Sequence, residues 1–166
     1  MMLDLPTFTL VHVALSLLGI FAGLVVVGGL MAGQRYARWT AVFLVATVLT
    51  NITGFGFPFV TLLPSHMVAI LSLLVLPVAI FALYAKHLAG AWRPTFVGLS
   101  VLALYLNAFV LLAQLLQKTP VLAKLAPDPK APAFAITQLL VLALFVILGW
   151  AALRGFRNAT AGVATR

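Results

Sequence analysis

The sequence predicts an all-α fold, a single integral membrane domain over residues 1–166. Five transmembrane helices form a bundle, with the N-terminus outside and the C-terminus in the cytoplasm. Three observations carry this. Hydrophobic residues make up 64% of the chain and charged residues 7%, whereas soluble domains carry roughly a quarter charged. Five apolar stretches approach the roughly 20 residues that a bilayer core requires. The charges lie between those stretches and are unequally shared between the two ends, which is how membrane proteins encode orientation.

The first span is expected over about 8–32. Its start, "MMLDLPTF", has no basic region, and the run is too long for a secretory signal, so it reads as a retained helix. Thr9, His12, Ser16, Gly19 and Gly23 share one face. Gly19 and Gly23 form a GxxxG pair that lets two backbones approach. The second span, about 39–62, carries Thr40, Thr47, Asn51, Gly54 and Pro58 on one face. Proline near its exit weakens the last turns. The third, about 66–84, opens with His66 and holds Pro77, which should break its middle. The fourth, about 94–116, repeats Ser100, Asn107 and Gln114 at seven-residue intervals. An outer loop, 117–133, follows, with four prolines that prevent one continuous helix. The fifth span, about 134–153, begins with Thr137 and Gln138.

Orientation follows from the cations. Arg35, Arg38, Lys86, Arg93, Arg154, Arg157 and Arg166 fall on one side. Lys118, Lys124 and Lys130 fall on the other with Asp4 and Asp128, the only acids. The first side is therefore cytoplasmic. Tyr36, Trp39, Tyr84, Trp92 and Trp150 lie at the same interface and fit an aromatic belt. The net charge of +8 reads as topology, and no nucleic-acid partner is expected.

Several chemistries drop out. The chain has no cysteine, which excludes disulfides, thiolate metal sites and thiol nucleophiles. No carboxylate lies inside a span, which argues against proton relays and cation coupling. No GxSxG, HExxH or phosphate-cradling glycine loop occurs. Five helices do not divide into the two equal inverted halves common among secondary transporters.

What remains is a polar layer, His12, Asn51, Asn107, Gln114 and Gln138, mostly in the outer half of the membrane. An amide facing lipid is costly, so these groups should face the bundle interior. Asn51 is expected near Asn107 or the His12 face. The plain reading is glue between helices, at about 0.6 kcal/mol per polar pair on average, with Gly19, Gly23 and Gly54 permitting close packing. A sharper reading takes His12 and His66 as axial ligands of haem b, since neutral imidazoles on two helices suit that iron. A quinone needs only an apolar crevice and a donor such as His12 or Gln114.

The run "KHLAGAWRPTFVGLSVLALYLNAFVLLAQLLQKTPVLAKLAP", with "PAFAITQ" after it, resembles a group of small bacterial multi-spanning membrane proteins that has no assigned activity. The resemblance implies a bacterial inner membrane and lends no catalytic residues. The expected role is thus a non-enzymatic packing or accessory subunit in the bilayer, as a homo-oligomer or in a larger membrane complex. The alternative is a small haem b or quinone protein that carries electrons.

Overall fold

The computed structural model describes residues 4–57, 64–124, 126 and 128–164, and among them there is no strand. Helix α1 spans Leu5–Met31, α2 Ala37–Gly54, α3 Pro64–Ile80, α4 Trp92–Lys118, the one-turn α5 Pro120–Ala123 and α6 Pro132–Ala164. Four segments, Leu5–Met31, Ser65–Ala85, Trp92–Lys118 and Pro132–Arg157, are long and apolar enough to cross a membrane. The α2 helix is not among them. Its 18 residues include Arg38, Thr40, Thr47, Thr50, Asn51 and Thr53, which lower its apolar character. The expected loosening at Pro58 and the end of the expected second span, 58–62, lie outside the described residues.

Asp4 starts α1: its carboxylate accepts from the Thr7 amide at 3.4 Å, and Pro6 follows in the first turn, where a missing N–H costs nothing. At the far end Gly33 adopts φ 73°, a left-handed conformation that suits glycine, and turns the chain into α2.

Pro77 does not break α3, contrary to the sequence reading. The helix runs through it to Ile80 and then widens into a π-helical turn, Phe81–Ala85. Proline removes one backbone donor, and neighbouring helices keep the rest of the segment in register. The last helix continues past the expected end at Leu153 to Ala164, because no proline stops it.

Side-chain contacts define the packing. His12, Gly19 and Gly23 of α1 meet Thr53, Thr47 and Phe43 of α2, so the two run antiparallel. Gly19 and Gly23 also meet Asn107 and Leu104 of α4, again antiparallel. Asn51 of α2 and Phe55 just after it meet Ser72 and His66 of α3. Thus α1–α2–α3–α4 form a closed square in which α4 returns to α1, and α6 packs outside against α1 and α4. Ala22, Val26, Leu30, Phe43, Leu76, Phe96 and Leu104 fill the centre.

Glycine decides how closely α1 approaches its neighbours. A Cβ at Gly23 would lie 2.7 Å from Leu104 Cδ1 and 2.9 Å from the Phe43 ring, while at Gly28 it would meet nothing within 4 Å. Gly54, expected among the packing glycines, would meet only His12 Cε1 at 3.7 Å, an ordinary contact at the helix end. Gly155 was not foreseen. Its α-carbon sits against the Met31 carbonyl, with no room for a side chain, and so seats α6 on the last turn of α1.

Candidate functional site

His12, Ser16, Asn51, Thr53, His66, Asn107 and Gln138 lie in the half of the bundle where α1 begins, while Thr40 and Ser100 are buried toward the other end. Nδ1 of His12 lies 2.8 Å from Thr53 Oγ1. Thr53 Oγ1 also lies 2.8 Å from the Leu49 carbonyl, which can only accept. Thr53 Oγ1 and His12 Nδ1 share one hydrogen bond whose donor is set by the imidazole tautomer, and the hydroxyl also reaches the Leu49 and Thr50 carbonyls. Phe57 packs edge-on against the ring at 5.1 Å.

One turn deeper, Ser16 Oγ donates to Asn107 Oδ1 at 3.1 Å, linking α1 to α4. Asn107 Nδ2 and the fully buried Thr47 Oγ1 have no hydrogen-bond partner. Both border the bare face of Gly19, whose Cβ would lie 3.2 Å from the Thr47 oxygen and 3.3 Å from the Asn107 nitrogen. Asn51 Nδ2 donates to the Thr47 carbonyl at 2.8 Å and to Ser72 Oγ at 2.9 Å.

The expected layer is thus divided among several helix pairs. Asn51 is directed to α3 through Ser72, and not to Asn107 or His12. The reason is rotation: the inward face of α2 spreads over both neighbours, with Thr47 and Thr53 turned to α1 and Asn51 to α3. Gln138 is buried, and its Nε2 donates to the Phe109 carbonyl of α4 at 3.3 Å. Gln114 is half-buried near the end of α4 and takes no part in these side-chain hydrogen bonds. His66 is buried and lies beside Phe55, ring centroids 5.5 Å apart. It shares the His12 end of the bundle, but α3 sits diagonally across the square from α1. Among the described residues no group of three or more His, Cys, Asp or Glu could hold a metal ion.

Cavities lie elsewhere. One of about 510 Å³ is apolar and borders Val48, Pro77, Phe81 and Tyr84. Another of about 890 Å³ lies between the first turns of α4 and the Trp150–Arg157 stretch of α6. Neither is lined by His12, Asn51, Asn107, Gln114 or Gln138. Sequence reasoning missed Thr53 and Ser72, the partners of His12 and Asn51. Each is a small hydroxyl in an apolar run, which only the facing helix makes significant. Compared with known proteins, the chain matches no family model, no curated protein and no solved structure.

Proposed function

We propose that this chain is a five-span protein of the bacterial inner membrane, non-enzymatic, acting as a packing or accessory subunit. It would work as a homo-oligomer or within a larger complex. One observation carries the reading: polar side chains pair between helices, as His12–Thr53, Ser16–Asn107 and Asn51–Ser72, and none of these six lines either of the two cavities described. Such pairs fasten helices in lipid. The outer face of α6 supports a lipid or partner contact, since Leu139, Leu140, Val146, Ile147 and Trp150 are all exposed.

The fifth crossing is α2. Its 18 residues reach about 27 Å at 1.5 Å per residue, close to the core thickness, and it stands antiparallel between α1 and α3. The excess of arginine at one end supports a cytoplasmic C-terminus.

A second reading keeps haem b or quinone, favoured by the His12 ring, whose Nδ1 is held by Thr53. With Nδ1 held by Thr53, the ring is oriented as ligating histidines are. Its Nε2 would hydrogen-bond a quinone or quinol, or ligate iron; His66, the expected second ligand, stands on α3, diagonally across the square. One preparation tests both readings. Purified in mild detergent, the protein is expected to have a mass above one protomer or a stoichiometric partner, and no Soret band. A lone monomer would overturn the first reading. A Soret band lost in His12→Leu would establish the second.

A further inference from the structure

The cavity between α4 and α6 has a composition that topology does not account for. Arg93, Arg154 and Arg157 line it, with Val97 and Phe156 beneath and Trp150 at one side. Arg93 stacks on the Phe156 ring, guanidinium carbon 4.1 Å from the centroid, and Arg154 lies 5.2 Å from the Trp150 ring. Stacking occupies the face of a guanidinium and leaves its in-plane N–H groups to bond an anion. Arg93 Nε is buried and has no hydrogen-bond partner. The first turn of α4 borders the same space, with Ala91 as a cap that offers no side-chain acceptor, so the positive end of the helix adds to the field.

No Asp or Glu side chain lies beside Arg93 or Arg154. Asp4 precedes α1 and Asp128 lies in the loop before α6, both at the opposite end of the bundle. The buried, unpartnered Nε of Arg93 calls for an acceptor.

We infer that this cavity binds the phosphate headgroup of an anionic phospholipid. The phosphate sits between Arg93 and Arg154, with Arg157 at the rim, and the acyl chain lies along Val97, Trp150 and Leu153. A free phosphate shares the headgroup chemistry. The apolar floor and the exposed flank of α6 favour the lipid, because they offer an acyl chain a continuous path from the guanidinium groups to the bilayer. Basic pockets between membrane helices serve anionic headgroups in this way.

The inference does not depend on oligomeric state or on the accessory role. It is tested on the full chain in lipid nanodiscs with Trp150 as the single tryptophan, after Trp39→Phe and Trp92→Phe. Brominated phosphatidylglycerol should quench Trp150 at a several-fold lower mole fraction than brominated phosphatidylcholine. Arg93→Gln and Arg154→Gln should each reduce that preference about fivefold. Arg154 is exposed, so its replacement leaves the fold intact. Arg35→Gln, at the same end but outside the cavity, should leave the preference unchanged. Equal quenching by the two lipids overturns the site. An equal loss in Arg35→Gln overturns it in favour of diffuse surface attraction. Loss of the preference on adding millimolar inorganic phosphate overturns the lipid assignment in favour of a soluble anion.

Discussion

Replacing Gly23 by alanine adds one methyl group at the tightest point between α1, α2 and α4. That carbon would lie 2.7 Å from Leu104 Cδ1 and 2.9 Å from the Phe43 ring. Carbon atoms prefer about 3.5–4.0 Å, so the neighbours must give way by about 1 Å. Leu104 and Phe43 are both fully buried, and neither can swing into lipid. Overpacking of this kind costs about 1–3 kcal/mol. Alanine returns up to about 1 kcal/mol of helix propensity. The net expectation for Gly23→Ala is a loss of about 0–2 kcal/mol. Gly28→Ala meets nothing within 4 Å and keeps the propensity gain, so it should be neutral or mildly stabilising. Reversible unfolding in mixed micelles measures both. A further variant, Leu104→Val in the Gly23→Ala background, should recover part of the loss, because the clashing methyl is withdrawn. Equal stability of the two alanine variants, or simple additivity with Leu104→Val, would refute the reasoning.

Other consequences are open to measurement. Asn51→Leu should cost about 1 kcal/mol or less, because amide and hydrogen bond are removed together. Combined with Ser72→Ala it should cost less than the sum of the two changes, and an additive double-mutant cycle would argue that the 2.9 Å contact carries no energy. For topology, a cysteine at Lys124 should be labelled by an impermeant reagent in intact cells and one at Arg157 protected; the opposite pattern reverses the orientation. At the start of α1, the hydrogen bond to Thr7 holds the Asp4 carboxyl below its ordinary value. A lowered carboxylate pKa stabilises the cap above the unfolded value and loses that contribution as pH falls through the folded one. The first turn of α1 should therefore fray below about pH 4. An NMR titration of Asp4 with a midpoint at or above that of an unstructured aspartate would contradict this.

The sequence by itself determined the class, the helices and their polar residues. Apolar runs near bilayer length leave the backbone no alternative to helix, and Gly19, Gly23, His12, Asn51 and Asn107 are visible because polar or very small residues stand out against leucine and valine. What the tertiary structure decided is which residue meets which. Helical periodicity assigns a face but not the neighbour opposite it. Asn51 could be placed on the inward face, yet only the rotation of α2 in the square of helices sends its amide to Ser72. Proline's missing donor predicts a break at Pro77; packing on α2 and α4 keeps the helix, and the irregularity falls at Phe81–Ala85. Gly155 has no sequence partner at GxxxG spacing, and its role exists only because α6 crosses the last carbonyls of α1. The arginines were counted as a topological signal, since charge at a helix end is sufficient for that. Their convergence on one cavity depends on a distance between α4 and α6 that no local pattern encodes. Hydrophobicity and periodicity act along one helix at a time, while a site is built from the relative position of several.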